Sequence, residues 1–382
     1  MHKVAFVATV FRHLEAFHLP YIKMLREKGF EVHAIAKSDN GKQTLLDEQV
    51  TCFDIQFRRF PFHPANARAL YQLIRLFKKE NYKLVHVHTP VGSILGRYAA
   101  KKAGLPNVIY TAHGFHFNKQ GPKSNWLFYV VERFFAKWTD VLITINKEDA
   151  EVASSFPVKK KAVYIPGVGV DTVQFRNVDK VAVRNRKREE LGIPDSAFVI
   201  LCVAELNGNK NQIQLLRALE LLKPRYPKII CLFVGEGSEE YSLQKRIKEM
   251  NLQESVMMTG FRNDIGELLA AADVFCLTSK REGLPKAVME AMSAGKPIIA
   301  NKIRGCSDLI VHGCNGYLVP VNDYEQTSSY IAKLIEEPDL LERMGEFSVQ
   351  LVQPFSVENV LPQMEKIYED CLVKYLETTE SP

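Results

Sequence analysis

Short apolar runs alternate with amphipathic stretches of helical periodicity along most of the 382-residue chain. In the first half, the runs that predict buried strands are residues 4–10, 31–36, 84–88, 108–111 and 141–145. In the second half, the corresponding runs are residues 198–203, 229–234, 256–259, 274–277 and 297–300. Continuous apolar runs separated by helices are typical of parallel sheets that are covered on both faces. The pattern therefore predicts an α/β fold with a parallel sheet in each half.

The chain is too long for one typical hydrophobic core, which predicts two domains. The strand and helix pattern breaks at Pro166-Gly167-Val168-Gly169 and again over a polar, basic segment before residue 189. We therefore place the first domain at residues 1–172, a linker at 173–188 and the second domain at 189–354. A helical pattern at 355–382 has no obvious apolar partner in its own neighbourhood, so we expect it to pack back on the first domain.

The two halves of the chain differ strongly in charge. Residues 1–188 carry 31 Lys and Arg against 15 Asp and Glu, whereas residues 189–382 carry 19 against 29. A basic half favours an anionic partner, and the candidates are a membrane surface, a lipid phosphate or a nucleic acid. The alternative is that the lysines only solvate helix faces. No apolar stretch approaches the roughly 20 residues of a membrane span, so attachment to a bilayer would be peripheral.

The cysteines and the N-terminus favour the cytoplasm. The first residues enter an apolar strand-like run without a small-residue cleavage site, so they do not read as a secretion signal. The seven cysteines are scattered and odd in number, which indicates reduced thiols rather than a disulfide framework. Cys306, His312 and Cys314 lack a C-x-x-C pair, and no D-x-D sequence occurs that could hold Mg²⁺ or Mn²⁺. We therefore expect no metal and no cofactor.

Two familiar nucleotide-binding motifs are incomplete in this chain. Gly235-Glu236-Gly237 follows a predicted strand, but Glu240 occupies the place of the third glycine of a dinucleotide-binding loop. Gly295-Lys296 lacks the upstream glycine of a Walker phosphate-binding loop. Neither a dinucleotide enzyme nor a P-loop enzyme is therefore indicated.

The segment 279–297 combines the features of an anion-binding helix start. Pro285 suits the first helical turn, where its missing N–H costs nothing, and Gly283 allows backbone amides to approach a ligand closely. Free amides at a helix N-terminus attract anions. Lys286 adds a cation there, although acids are the usual choice in a first turn. A diphosphate ligand would explain that choice.

Two carboxylates flank the same helix start. Glu282 precedes the helix and Glu290 lies about one turn inside it, so they would stand near opposite ends of an extended ligand. The alternative is that Glu282 is solvated in a loop and Glu290 on an exposed helix face. The proline, glycine and lysine between them favour the functional interpretation.

The Glu282-x7-Glu290 spacing resembles the nucleotide-sugar motif of retaining glycosyltransferases of family 4, and the resemblance extends over nearly the whole chain. Similar segments in the second half are 256–264, 268–273, 305–310 and 315–319. Similar segments in the first half are His86-Val87-His88-Thr89-Pro90, His113-Gly114 and Phe17-His18-Leu19-Pro20, the last as in members that build bacterial exopolysaccharide and capsule. The resemblance implies a GT-B fold, in which two Rossmann-like parallel-sheet domains face a central cleft. The first domain would bind the acceptor and the second the nucleotide sugar.

The resemblance also implies roles for individual residues. Glu290 would accept hydrogen bonds from the ribose, and Glu282 from a hydroxyl of the donor sugar. Lys210 would neutralise the phosphates, and His113 would line the donor sugar, so that Glu282, His113 and Lys210 form the catalytic set. The other implied donor contacts are Gly283, Leu284, Pro285, Lys286, Phe261 and Arg262, the last two near the base. The alternatives are a hydrogen-bonded loop histidine at 113 and simple packing at Leu284.

One position departs from the family pattern. Glu205 stands where the family usually has an arginine that binds phosphate, although Lys210 follows at the expected spacing. One cation is therefore missing from the diphosphate site, and Lys286 is the residue that would replace it in part. A carboxylate beside a diphosphate would repel it, so we expect Glu205 to point away.

The expected reaction is transfer of a hexose or N-acetylhexosamine from a nucleoside-diphosphate sugar to an acceptor hydroxyl, with retention of the anomeric configuration and without a metal. UDP is favoured over GDP by the resemblance alone. The expected acceptor is a lipid-linked saccharide of bacterial exopolysaccharide or capsule synthesis. Two alternatives are a sugar-nucleotide 2-epimerase on the same fold and a non-catalytic sugar-nucleotide binder.

The basic first half predicts contact with an anionic membrane surface rather than with nucleic acid. The protein would then be cytoplasmic and peripheral at the inner face of the cell membrane. Aromatic rings interleaved with cations suit such an interface. The candidate contacts are Arg58, Arg59, Phe57, Phe60 and Phe62, together with the aromatic, basic stretch 119–137. The alternative is that these aromatic side chains belong to the core.

Overall fold

The structure, a computed structural model, describes residues 2–58, 60–61, 63–117, 125–175 and 180–376. It divides into two compact units. Unit 1 comprises Met1–Gly169 with Val357–Pro382, and unit 2 comprises Val170–Ser356. Each unit is an α/β structure built on one parallel sheet, which confirms the fold class predicted from the apolar runs.

The sheet of unit 1 has seven parallel strands in the order β3-β2-β1-β4-β5-β6-β7. The strands are β1 (Lys3–Val10), β2 (Glu31–Lys37), β3 (Thr51–Asp54), β4 (Leu84–Val87), β5 (Val108–Ala112), β6 (Val141–Thr144) and β7 (Lys161–Tyr164). The helices between them are α1 (Phe11–Glu27), α2 (Gly41–Asp47), α3 (Ala65–Glu80), α4 (Pro90–Ala103), α5 (Trp126–Ala136) and α6 (Lys147–Ala153). Separate apolar clusters pack around α1 and around α3 with α4.

The sheet of unit 2 has six parallel strands in the order β10-β9-β8-β11-β12-β13. The strands are β8 (Phe198–Val203), β9 (Ile229–Val234), β10 (Val256–Gly260), β11 (Val274–Leu277), β12 (Ile298–Asn301) and β13 (Gly316–Val319). The helices are α7 (Lys180–Glu190), α8 (Gln212–Leu222), α9 (Glu240–Glu249), α10 (Ile265–Ala271), α11 (Lys286–Ser293), α12 (Cys306–Leu309), α13 (Tyr324–Glu336) and α14 (Pro338–Leu351).

The order of strands reverses once near the middle of each sheet. In unit 1, β1 pairs with both β2 and β4, and in unit 2, β8 pairs with both β9 and β11. The loops that leave two such strands run to opposite faces of the sheet and leave a crevice at its carboxyl edge, where ligands of open α/β sheets bind. The residues that follow β1 and β4, and those that follow β8 and β11, are therefore the first places to look for a site.

The last helix, α15 (Val357–Leu376), belongs to unit 1. Its buried face includes Val360 and Met364, which join the apolar cluster around α1. Tyr368 lies 2.7 Å from His86 Nδ1, so the helix is also tied to the centre of the sheet by a buried hydrogen bond. At the surface, Lys28 forms ion pairs with Glu365 and Glu369.

The segment 173–188, which we expected to be a linker, is in part a helix of unit 2. α7 packs against α10, and its Lys187 and Arg188 are buried. Arg188 donates to the carboxylate of Asp273 at 2.9 Å and to the carbonyl of Ala271 at 3.0 Å. The composition of the segment did not reveal this helix, because Lys187 and Arg188 make the segment look solvated. In the structure the same two cations are buried and hold the helix in place.

Candidate functional site

Nine of the ten residues predicted for the site lie in unit 2, and His113 lies in unit 1. The nine are carried by three loops at the carboxyl edge of the sheet, after β8, β10 and β11, and by the first turns of α11. Since β8 and β11 flank the point where the strand order reverses, two of these loops meet at the crevice that the topology creates.

Hydrogen bonds fasten the loop after β8 to the loop after β11. The amide of Lys280 donates to the carbonyl of Asn209 at 2.7 Å, and the Asn209 side chain donates to the carbonyl of Arg281 at 3.0 Å. Thr278 Oγ1 donates to the carbonyl of Asn211 at 3.0 Å. Asn211 adopts the left-handed conformation, with φ of 53°, which asparagine tolerates better than most residues. The two loops therefore form one local structure.

This local structure brings Lys210 and Glu282 together across 72 positions of sequence. Lys210 Nζ lies 2.6 Å from Glu282 Oε1, and the two side chains are 22% and 12% exposed. A charge-assisted hydrogen bond of this length in a largely desolvated place fixes both side chains. Two of the three residues of the predicted catalytic set, Lys210 and Glu282, are therefore in contact.

The last residue of β12 and the loop that follows it support the loops that carry Lys210 and Glu282. Asn301 Nδ2 donates to the carbonyls of Thr278 and Ser279, at 2.6 and 3.1 Å. Gly305 has a φ of +79° and approaches the carbonyl of Gly283 so closely that a Cβ there would lie 2.3 Å from the oxygen. Any side chain at position 305 would therefore displace the Glu282–Gly283 loop.

Arginines add positive charge to the same loops and were not singled out from the sequence. Arg304 is 9% exposed, and its Nε lies 3.5 Å from the carbonyl oxygen of Glu282. Burial lowers the pKa of Arg281, and the positive charge of Arg304 lowers it further. The sequence signal was the position of Arg304 directly before the segment 305–310, which is similar to the family.

The helix after β11 begins close to the predicted position, but its first residue is one position later than expected. Pro285 is the N-cap residue with extended backbone, and α11 begins at Lys286 rather than at the proline. The Pro285 carbonyl accepts hydrogen bonds from the amides of Val288 and Met289. Leu284 and Pro285 are buried, so the loop that leads into the helix is packed rather than solvated.

Glu290 lies one turn into α11 and is mostly buried. Its carboxylate oxygen is 3.9 Å from Lys286 Nζ, and 19% of its side chain is exposed. Burial raises the pKa of Glu290, and the charge of Lys286 opposes that shift. The carboxylate is therefore partly desolvated, so that a hydroxyl donor would stabilise it.

The residues after β10 make different contacts from those of the Glu282 loop. Phe261 is 47% exposed. Arg262 donates to Asp264 at 2.8 Å and to Glu190 at 3.0 Å, and Lys187 lies 2.8 Å from the same Asp264 carboxylate. These cations hold the pKa of Asp264 well below its usual range. The guanidinium that we expected near a base is thus engaged in an ion-pair network between α7 and α10.

Two observations made on the sequence can be compared with the structure. Glu205 is exposed, and its backbone carbonyl accepts hydrogen bonds from the amide of Asn207 and from the side chain of Gln212. Gly235 and Gly237 lie against the carbonyls of Ala204 and Leu206, where a Cβ would come within 2.1 and 2.2 Å of the oxygens. This Gly-x-Gly pair therefore allows the loops after β8 and β9 to approach each other.

In unit 1, His113 follows β5 and belongs to a group of histidines. His18 Nε2 lies 3.1 Å from His113 Nε2. The ring of His13 is 4.5 Å from that of His113, centroid to centroid, and His88 stacks on His18 at 3.7 Å. His18, His88 and His113 were quoted in the sequence as family landmarks, but their mutual contact could not be foreseen from spacing.

Comparison with known proteins assigns both parts of the chain. Residues 3–146 match the family model described as glycosyl transferase 4-like, and residues 183–350 match that of glycosyl transferases group 1. The chain is 39% identical over 370 residues to the protein of Bacillus subtilis named "Putative glycosyltransferase EpsD", covering 96% of each. It is 30% identical to the UDP-Gal:alpha-D-GlcNAc-diphosphoundecaprenol alpha-1,3-galactosyltransferase of Escherichia coli, covering 93% of each.

The fold is also similar to solved structures. Anabaena HepE in complex with UDP and glucose superimposes with a TM-score of 0.83 at 20% identity, covering 97% of this chain and 100% of that chain. At this identity the likeness concerns the fold, which is the GT-B arrangement of two Rossmann-like domains.

The contact between Lys210 and Glu282 should contribute measurably to the stability of unit 2. We predict that Lys210→Met lowers the free energy of unfolding by about 1–3 kcal/mol, because it leaves the buried Glu282 carboxylate without its cation. The matched variant Lys286→Met should cost less than about 1 kcal/mol, since its ion pair with Glu290 is longer and more exposed. Urea unfolding measures both. Adding Glu282→Gln to Lys210→Met should recover part of the loss; equal losses in the two lysine variants would contradict the assignment.

Proposed function

The chain belongs to the GT-B glycosyltransferases, and from that premise we propose that it is a retaining enzyme that transfers a hexose or N-acetylhexosamine from a UDP-sugar to a lipid-linked saccharide. The acceptor is an intermediate of bacterial exopolysaccharide or capsule synthesis. The observation that carries the proposal is the joined loop structure of unit 2, in which Lys210 meets Glu282 beside the start of α11.

The charges around this helix start suit a diphosphate. Lys210 and Lys286 are cations, and the first amides of an eight-residue helix lack partners within the helix itself. As the bond between the sugar and the diphosphate breaks, negative charge grows on the leaving group, and positioned cations and amides stabilise it. In this proposal Lys210, Lys286 and the α11 amides do so without a divalent metal.

The carboxylates suit the two hydroxyl-bearing parts of the donor. Glu290 is partly desolvated, so the hydroxyls of a ribose would supply the hydrogen bonds that its carboxylate lost on burial. Glu282 keeps one oxygen on Lys210 and leaves the other to accept from a hydroxyl of the transferred sugar. This contact with Lys210 favours an orienting role for Glu282 over that of a nucleophile. Gly283, Leu284 and Pro285 contribute backbone around the sugar and diphosphate, Phe261 with Arg262 contributes near the base, and His113 lines the donor sugar.

Retention without a covalent intermediate is consistent with a front-face reaction. The acceptor hydroxyl then attacks from the side on which the diphosphate leaves, and a phosphate oxygen takes up its proton. Positioning and charge stabilisation by the cations of unit 2 supply the catalysis in such a step.

Unit 1 offers a place for the acceptor. A pocket of about 410 Å³ opens at the carboxyl edge of its sheet, beside His13, Thr89 and Phe128. Thr89 has a φ of 59°, a conformation that β-branched residues rarely adopt outside functional places. The diphosphoundecaprenol named for the Escherichia coli relative supports a lipid-linked acceptor here.

The helix α5, which contributes Phe128 to that pocket, presents apolar side chains to solvent. Trp126, Leu127, Val130 and Phe134 are each about half exposed, while Glu132 on the opposite side is buried against Arg97. Among the described helices, none is long and apolar enough to cross a bilayer. We assign α5 to the surface of an anionic membrane, which would place the protein at the inner face of the cell membrane.

Cations surround this apolar face and complement anionic lipid. Lys101 lies over the ring of Trp138 at 4.1 Å, and Lys137 lies over Phe134 at 5.8 Å. Arg58 and Phe60 are exposed and remain candidates, whereas Phe57 is buried in the core and is not one. Arg59, Phe62 and residues 119–124 lie outside the described residues.

The first functional prediction separates the two carboxylates. Glu290→Ala should weaken the binding of free UDP by about 10- to 100-fold, because the ribose loses a charged acceptor. Glu282→Ala should leave UDP affinity nearly unchanged and lower turnover by about 10²-fold, because only the sugar is misplaced. Isothermal titration gives the affinities, and a donor-consumption assay gives turnover. Equal loss of UDP affinity in both variants would refute this division of roles.

The second prediction concerns Mg²⁺ and Mn²⁺. Turnover in the presence of EDTA should equal turnover with either ion added, because the diphosphate is neutralised by lysines and helix amides. The control is a D-x-D glycosyltransferase assayed in the same buffers, which should need its metal. Activity that disappears in EDTA and returns with Mg²⁺ or Mn²⁺ would show that the diphosphate is neutralised differently.

The third prediction concerns the membrane. The full-length protein should float with anionic liposomes at low salt, and much less with neutral liposomes or at high salt, because each basic residue near the surface contributes about 1 kcal/mol. The variant W126S/V130S/F134S should lose this binding. Tyr241→Ser, at a side chain of unit 2 that is 80% exposed, is the matched control and should not. Flotation that ignores lipid charge and salt would end the proposal of electrostatic docking.

A further inference from the structure

Four histidines of unit 1 converge at the carboxyl edge of the sheet. His13 and His18 lie on α1, which directly follows β1. His88 follows β4, and His113 follows β5. Because β1, β4 and β5 are neighbours in the sheet, the segments that leave them bring all four imidazoles to one place. We call these four residues the histidine cluster.

The distances within the histidine cluster suit a single metal ion. One ring nitrogen from each residue lies within 4.8 Å of the corresponding nitrogen of every other. The Nε2 atoms of His18 and His113 are 3.1 Å apart. Two nitrogens bound to a tetrahedral Zn²⁺ at about 2.0–2.1 Å are about 3.3 Å from each other. The closest pair therefore already has nearly the separation that a shared ion requires.

Several nitrogens of the cluster are buried without a hydrogen-bond partner among the described residues. They are His13 Nε2, His18 Nδ1 and both ring nitrogens of His88. Buried polar atoms are nearly always satisfied in folded proteins, so four such atoms in one place call for a ligand. The neighbouring His86 is different, because its two nitrogens are occupied by Tyr368 and Thr111.

We propose that His13, His18, His88 and His113 form a binding site for one divalent transition-metal ion of the Zn²⁺ class. Imidazole ligands favour Zn²⁺, Co²⁺, Ni²⁺ and Cu²⁺ over Mg²⁺ and Mn²⁺, so this site is distinct from any metal on the donor diphosphate. His13 and His113 are partly exposed, and His13 lines the pocket of unit 1, which gives an ion a path of entry.

The stacking of two rings limits which ligands can bind together without rearrangement. His18 and His88 lie 3.7 Å apart with their planes 25° from parallel. Two stacked rings cannot both direct an in-plane lone pair at one point, so one of these two rings must turn before all four histidines can bind the ion.

One consequence rests on the proposed function. If His113 lines the donor sugar, an ion that holds its Nε2 removes that contact, so Zn²⁺ should inhibit transfer and EDTA should restore it. Inhibition by Zn²⁺ is compatible with the prediction that transfer does not need a metal. Stoichiometric binding without inhibition would refute the role of His113 at the donor and leave the metal site intact.

The site can be tested on the untagged full-length protein after EDTA treatment and dialysis into metal-free buffer. Titration with Co²⁺ should saturate at one equivalent, produce the visible absorption bands of a tetrahedral site, and be reversed by Zn²⁺. His18→Gln and His113→Gln should each weaken Co²⁺ binding by on the order of tenfold or more. Two controls should bind as the unchanged protein does. His33→Gln removes a buried histidine whose nitrogens both have partners, and His312→Gln removes one beside Cys314.

Three results would overturn the proposal. They are the absence of stoichiometric binding, binding that survives both cluster variants, and loss of binding in His312→Gln. If a cluster variant fails to fold, X-ray absorption of the unchanged protein loaded with Zn²⁺ decides the question. Three or four nitrogen neighbours at about 2.0–2.1 Å support the site, and sulfur neighbours at about 2.3 Å contradict it.

Discussion

The hydrogen-bonded ion pair between Lys210 and Glu282 is the constraint on which the candidate donor site depends. It spans the loops that leave β8 and β11, and the hydrogen bonds that the Asn209 carbonyl and side chain form with the backbone of residues 280–281 hold those loops in place. An anion site made only of cations would repel itself when empty. A carboxylate within the site lowers that repulsion and at the same time provides an acceptor for a sugar hydroxyl. One contact thus serves both the stability of the empty loops and the proposed chemistry.

The two units use the same topology for different chemistry. In each sheet the strand order reverses next to the first strand of the unit, and polar residues gather where the neighbouring strands end. Unit 2 places cations and carboxylates there, which suit a charged ligand. Unit 1 places histidines there, beside a pocket and an exposed aromatic helix, which suit a ligand with hydroxyls and an apolar anchor. The division matches the donor and acceptor roles that we propose.

The sequence predicted the central strands and the helix start of α11 because both are local patterns. It did not predict β3, β7 and β13, which are four-residue strands at the sheet edges. β3 and β7 are weakly buried, so their apolar signal is weak, whereas β13 is mostly buried but short and begins with a glycine. The spacing of Glu282 and Glu290 could be read along one segment. Three other features could not be predicted from the sequence, since only the order of strands brings such distant positions together. They are the pairing of Lys210 with Glu282, the partners of Arg262 and the histidine cluster.

The central claim is that the joined loops of unit 2 hold a sugar nucleotide for retaining transfer. Its most direct test is analysis of the products after incubation with α-linked UDP-hexoses or UDP-N-acetylhexosamines and a diphosphoundecaprenol-linked saccharide. The anomeric configuration of the new linkage is read by NMR. The account predicts release of UDP and an α-linked product. A β-linked product would contradict retention, and an isomerised sugar nucleotide, or binding without any product, would contradict transfer.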